Sequence, residues 1–119
     1  MRPLVFVVDD EPVIAQTLTT ILQKANFDAR AFFSPVEALN AARQLAPTLL
    51  ISDVVMPGMT GIELAIALRK ETPDCRVLLF SGQARTADLL KEAAASGHDF
   101  EFLLKPVHPK DLLAKLASL

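Results

Sequence analysis

Short apolar runs and longer stretches with helical spacing alternate five times along this chain, and that alternation restricts its fold more than any other feature. Residues 4–8, 49–51 and 77–80 are continuously apolar, which suits strands covered on both faces in a parallel sheet. Residues 29–33 and 101–104 are weaker strand candidates. Between them, Ile14, Leu18, Ile21, Leu22 and Ala25 recur at helical spacing after Pro12, a residue suited to a first turn. Ser34 with Glu37, and Thr60 with Glu63, have the spacing of a capping box and open the second and third helices. Pro47 and Pro73 follow the ends of those helices, and Gly97 stands where the fourth must stop. Pro109 starts the fifth, with Leu112, Leu113, Leu116 and Leu119 on one face.

Strands alternating with helices across short connections imply right-handed crossovers. The expected fold is α/β: a flavodoxin-like (βα)5 doubly wound parallel sheet of five strands in the order 2-1-3-4-5. With 119 residues, the chain is expected to be one domain spanning residues 1–119. An apolar share of 51% against 22% charged supplies a core and excludes a disordered chain. Twelve basic against fourteen acidic residues leave no surplus for a phosphate backbone, so direct nucleic-acid binding is not expected. No apolar run approaches the ~18 residues of a membrane span and no charged-then-apolar leader opens the chain, so the expected location is the cytoplasm. Cys75 is the only cysteine, which excludes an internal disulfide and a thiolate centre. Trp and Tyr are absent, and the seven Phe are assigned to the core.

In an open sheet of this type, ligands bind beyond the carboxyl ends of the strands, where the winding direction reverses. Strand one ends in Asp9-Asp10-Glu11, strand three in Ser52-Asp53, strand four in Ser81-Gly82 and strand five in Lys105-Pro106. Strands one and three are neighbours about 4.8 Å apart, so Asp10 and Asp53 repel each other when both are ionised. One ammonium, that of Lys105, does not balance three carboxylates. A hard dication does, and Mg²⁺ suits the place because it accepts one or two carboxylates and keeps positions for phosphoryl oxygens.

Val8-Asp9-Asp10-Glu11, Ser52-Asp53-Val54-Val55-Met56-Pro57-Gly58, Leu79-Phe80-Ser81-Gly82 and Leu104-Lys105-Pro106 together resemble the receiver domain of two-component response regulators, and the resemblance covers essentially the whole chain. It implies that Asp53 is the nucleophile, taking a phosphoryl group from a phosphohistidine on a sensor histidine kinase or a histidine phosphotransfer protein. Asp10 would ligate the metal directly, with Asp9 helping and the Val55 carbonyl as a backbone ligand. Lys105 and Ser81 would contact the phosphoryl oxygens, Lys105 following a buried strand and preceding a proline that in the family comes after a cis peptide. Ser81 and Phe102 resemble the family's switch pair, by which phosphorylation changes a surface for a downstream effector or output domain. The chain would not be an enzyme in the ordinary sense, assisting only its own phosphorylation and dephosphorylation.

Some positions depart from the family pattern. Between Gly97 and Lys105 there is one residue more than usual, with Phe100 added, and a bulge is expected before strand five. That affects the surface of helix four, strand five and helix five, which receivers commonly use to dimerise or dock partners. Val55 and Gln83 stand two residues beyond Asp53 and Ser81, at positions that in receivers influence hydrolysis of the acyl phosphate. His98 and His108 lack a second ligand at metal spacing and are read as structural, and Met56 and Met59 as packing a lid. A flavin-binding electron carrier shares the fold, but Asp9-Asp10-Glu11 would repel the flavin phosphate. A receiver kept only as an interaction module would not need Asp10, Asp53, Ser81 and Lys105.

Overall fold

A computed structural model describes residues 2–82, 85–98, 100–105 and 107–118, with the side chains of Ser81, Arg85, Thr86, Ala87 and Leu90 outside the description. Ten elements alternate: β1 (Leu4–Val8), α1 (Pro12–Lys24), β2 (Asp28–Phe32), α2 (Pro35–Gln44), β3 (Leu49–Asp53), α3 (Gly61–Glu71), β4 (Arg76–Ser81), α4 (Arg85–Ala95), β5 (Glu101–Leu104) and α5 (Pro109–Ala117). All neighbouring strands pair in parallel, in the order β2-β1-β3-β4-β5. This is the expected sheet. The chain winds first toward β2 and then back past β1 to β3, so the reversal lies between β1 and β3, whose registers run from Val5 opposite Leu49 to Val8 opposite Ser52.

Two strands run longer than their apolar cores. β3 continues through Ser52 and Asp53 with every residue buried, and β4 begins at Arg76 and ends at Ser81. Polar residues at a strand end keep their ladder bonds, so pairing outlasts apolarity there. β2 is offset by one residue from its expected span, because its first residue, Asp28, donates its amide to the Pro3 carbonyl at 2.9 Å and pairs with Leu4.

Strand alternation divides the core into two layers. Phe6, Val8, Leu50, Val77 and Leu79 face α2 and α3, with Ala93 of α4 in the same layer. Val5, Val7, Ile51, Leu78 and Phe80 face α1 and α5, meeting Leu18, Leu22 and Leu112. On α1 the buried stripe is Ala15, Leu18, Thr19 and Leu22; the Thr19 hydroxyl is satisfied by the Ala15 carbonyl at 2.7 Å. Leu113 and Leu116 pack beside Leu112 as expected, while Leu119 lies outside the described residues. Two phenylalanines do not join the core: Phe33 and Phe102 are 40% and 45% exposed.

The two expected capping boxes part company. At α3, the Glu63 amide donates to the Thr60 hydroxyl at 3.1 Å and the Thr60 amide to the Glu63 carboxylate at 3.0 Å. At α2, Ser34 holds the N-cap position but accepts no side-chain bond. Its backbone is more extended, with φ −144° against −72° at Thr60, which carries the hydroxyl away from the amides of the first turn. α4 stops at Ala95, closed as expected by Gly97, whose φ of +90° suits glycine, with the His98 amide donating to the Ala93 carbonyl at 2.8 Å.

The bulge expected before strand five does not enter the paired residues, since the register from Leu78–Glu101 to Ser81–Leu104 is unbroken. Ahead of the strand, Phe100 is buried beneath the Arg69 guanidinium of α3, 4.8 Å from the ring centre. His98 stacks on the same ring at 6.2 Å.

Candidate functional site

Asp9 leaves β1 with its amide bonded to the Phe32 carbonyl at 3.1 Å, which extends the β1–β2 ladder by one step and drives its carboxylate inward. Only 1% of the residue is exposed. The Glu11 amide donates to Asp9 Oδ1 at 2.9 Å, while Oδ2 is buried and accepts no hydrogen bond among the described residues. Asp10, the next residue, is exposed. Asp53 closes β3 at 8% exposure, opposite Phe80. One carboxylate oxygen from each of Asp9, Asp10 and Asp53 falls within 4.8 Å of the others.

Lys105 follows β5 directly and reaches back across the end of β4. Its Nζ stands 3.1 Å from Asp53 Oδ2 and 3.8 Å from Asp9 Oδ2. The route is narrow. A Cβ at Gly82 would stand 3.2 Å from Lys105 Cδ, so a glycine there lets the lysine stem lie against the end of β4. Gly61, the first residue of α3, has a comparable function. A Cβ on it would stand 2.1 Å from the Asp53 carbonyl oxygen, and its amide donates to the Val54 carbonyl at 2.8 Å. The start of α3 is thereby pressed onto the end of β3, and the Ser52 hydroxyl donates to the same Asp53 carbonyl at 2.9 Å.

Neither Gly61 nor Gly82 belongs to the expected site residues; a glycine beside each charged strand end is their only mark in the sequence.

The charges do not balance. Burial pushes the Asp9 carboxyl above its ordinary value, and the Asp53 and Asp10 carboxylates push the same way. The Glu11 amide and the Lys105 ammonium pull it down, with less effect. Three carboxylates against one ammonium, with a buried oxygen lacking a donor, form an acidic cluster that could hold a metal ion. Its donors are all oxygen, the set that hard cations take.

Asp9, Asp10, Asp53 and Lys105 are therefore brought together. Val55 lies on the rim, 41% exposed, beside the cluster. Ser81 pairs through its backbone with Leu104; its hydroxyl, like Pro106 and Gln83, lies outside the described positions. The strand before Lys105 is not buried as expected: β5 is the sheet edge, and Leu104 is 69% exposed and Phe102 45%. Met56 is buried and Met59 partly so, both packed in the layer under α3. Burial likewise pushes the Cys75 thiol up to about 11, which leaves it protonated.

From Asp53 and Lys105 a cavity of about 730 Å³ runs between α1 and the start of α5. Val13, Ile14, Ile21 and Val107 give it an apolar wall, and Val13 is 74% exposed at its mouth.

A family model described as the response regulator receiver domain matches residues 5–117. The DNA-binding response regulator MtrA of Mycolicibacterium smegmatis is 34% identical over 118 residues, covering 99% of this chain and 50% of that protein. The transcriptional regulatory protein CreB of Escherichia coli is 30% identical over 118 residues, covering 99% of this chain and 51% of that one. The chain thus spans about half the length of these curated relatives. Among solved structures, the chemotaxis protein CheY4 of Vibrio cholerae superposes with a TM-score of 0.88 at 30% identity, covering 99% of this chain and 98% of that one. No described helix is long and apolar enough to cross a membrane.

Proposed function

The chain belongs to the response regulator receiver domain family of two-component signalling, and from that premise we propose that Asp53 accepts a phosphoryl group in a Mg²⁺-dependent reaction. The observation that carries this reading is the convergence of Asp9, Asp10, Asp53 and Lys105 on one pocket, with Asp53 Oδ2 3.1 Å from the lysine ammonium. The acidic cluster fits a hard dication: its donors are oxygens, and Asp9 Oδ2 is a buried acceptor without a hydrogen bond among the described residues. Asp10 and Asp9 would hold it, with Asp53 and the Val55 carbonyl. When bound, Mg²⁺ supplies the positive charge that offsets the phosphoryl oxygens.

The remaining chemistry belongs to the chain's own residues. An Asp53 carboxylate oxygen attacks phosphorus, the P–N bond of a phosphohistidine breaks, and the leaving imidazole keeps the bonding pair and takes up a proton. The product is an acyl phosphate. Gly61 and Ser52 fix the Asp53 backbone by their contacts with its carbonyl, so the nucleophile is oriented before the donor arrives. Lys105, already beside Asp53, neutralises charge on an oxygen of the transferred group. The Ser81 hydroxyl donates to another.

The donor is a sensor histidine kinase or a histidine phosphotransfer protein, and the apolar groove beside Asp53 supports docking of a protein there rather than a free nucleotide. The output is a changed surface. Phe102, exposed on β5, is the aromatic partner of Ser81 in that switch, and it lies beside exposed Leu104 where a downstream effector, an output domain or a second copy would sense the change. With a net charge of −2, the chain meets proteins rather than nucleic acid; in MtrA, described as DNA-binding, about half the protein lies outside the match. We read residues 1–119 as one receiver domain acting in the cytoplasm, with catalysis confined to its own phosphorylation and dephosphorylation.

The test is intact mass after incubation with Mg²⁺ and a small phosphodonor. An adduct of about 80 Da, one phosphoryl group, is expected in the parent and not in Asp53→Asn. An equal adduct in both would overturn the assignment.

A further inference from the structure

α5 begins in an unusual way. Its N-cap is His108, whose Nδ1 accepts the Lys110 amide at 3.1 Å. Caps are ordinarily Ser, Thr, Asp or Asn, whose oxygens accept at any physiological pH. An imidazole nitrogen accepts only while it carries no proton; imidazolium has two donors and no acceptor. Pro109 occupies the first helical position and brings no amide, so the Lys110 amide is the first free donor of α5 and depends on that nitrogen.

The geometry points to a proton-sensitive start of α5: protonation of His108 removes the acceptor of the Lys110 amide and places a positive charge at the positive end of the helix. Both effects act in one direction, because cations are unfavourable at a helix N-terminus. Charged groups stand on α5 and on the elements that line the groove beside it. On α5 these are Lys110 and Asp111, the latter a first-turn acid that attracts the imidazolium and opposes part of the effect. Across the groove that Val107 and Pro109 help to line are Glu11 at the N-cap of α1, Asp53 of β3 and Lys105. His108 is exposed, so solvent protons reach it without any opening of the core.

The consequence is local and falls beside the site. Val107 and Pro109 form one wall of the groove, and Lys105 stands three residues before the cap. Loosening the first turn of α5 therefore alters the groove rim without touching the carboxylates. The inference concerns α5 alone and stands whether or not Asp53 is phosphorylated.

The experiment is nuclear magnetic resonance of the full chain as the pH is lowered from about 8 to about 5. At pH 8 the ring nitrogens of His108 are expected to show the tautomer protonated at Nε2, with Nδ1 free to accept. As His108 protonates, the protection of the Lys110 amide, corrected for intrinsic exchange, should fall about fivefold, the equivalent of losing one cap. In His108→Asn, which caps without titrating, protection should stay level over the same range. His98, the only other histidine, is stacked on Phe100 and serves as the internal reference. Finding Nδ1 protonated at pH 8, or Lys110 protection in the parent as level as in the Asn variant, overturns the inference. The tautomer is read in the parent alone and decides the matter if the variant does not fold.

Discussion

Replacing Asp9 by Asn should stabilise the metal-free protein at neutral pH, although Asp9 is among the most buried polar residues of the fold. Its carboxylate has an ammonium 3.8 Å away, an attraction of about 4 kcal/mol at an effective dielectric of ~20. The Asp53 carboxylate within 4.8 Å opposes this with about 3.5 kcal/mol on the same scale, and exposed Asp10 adds a screened remainder. The charge terms nearly cancel, so burial decides. An acceptor buried without a hydrogen bond costs about 1–3 kcal/mol, and Asn both removes the charge and presents a donor toward Asp53. Near 4 °C per kcal/mol for a chain of this size, the variant should melt about 4–12 °C higher at pH 7 without metal.

The sign follows from linkage. The folded carboxyl lies above its ordinary value of 3.8, so folding favours the protonated form and ionised Asp9 costs stability. That cost is absent below about 4 and reaches its full size above the folded value, so the advantage of the variant should shrink as the pH falls toward 4. Saturating Mg²⁺ should reverse the order, since a dication at about a thousand times its Kd adds about 4.1 kcal/mol to a protein that holds it. Thermal melts of both proteins at pH 7 and pH 4, with Mg²⁺ and with chelator, test all three statements. A variant less stable than the parent in chelator at pH 7, or a gain independent of pH, would show that burial of the Asp9 charge does not decide the balance.

Further consequences follow from single contacts. Val55→Asn places an amide on the rim beside Asp53, where it can orient an attacking water; the acyl phosphate should hydrolyse about tenfold faster, one hydrogen bond's worth, and an unchanged lifetime would count against the placement. Thr60→Ala should cost about 1 kcal/mol in urea unfolding because its capping box is formed, whereas Ser34→Ala should stay within about 0.5 kcal/mol because its own is not. Gly61→Ala must push α3 off the Asp53 carbonyl, at a cost of about 3 kcal/mol or more, and should slow phosphorylation as well as lower the melting temperature.

Most of the sheet was legible because parallel strands covered on both faces read as unbroken apolar runs, and β1 and β3 have no other reading. The carboxylates and Lys105 were legible because the order of the strands dictates which strand ends share an edge. Three features were not. Glycines that permit close approach, Gly61 and Gly82, look like any other glycine until the opposing backbone or side chain is placed. Capping depends on backbone angles that the S-x-x-E spacing does not contain, hence the difference between Ser34 and Thr60. The exposure of Phe102 and Leu104 follows from β5 being an edge strand, and four residues offered no pattern by which to tell an open face from a covered one.

Oxygens from two adjoining strand ends and one lysine are proposed to make Asp53 a metal-dependent phosphate acceptor. Fragmentation of the phosphorylated chain, after reaction with a small phosphodonor in Mg²⁺ and separately in chelator, tests it most directly. The expected result is a phosphoryl group located on Asp53, formed in Mg²⁺ and all but lost in chelator. A group found on another residue, or formed equally well in chelator, would rule out Asp53 as that acceptor.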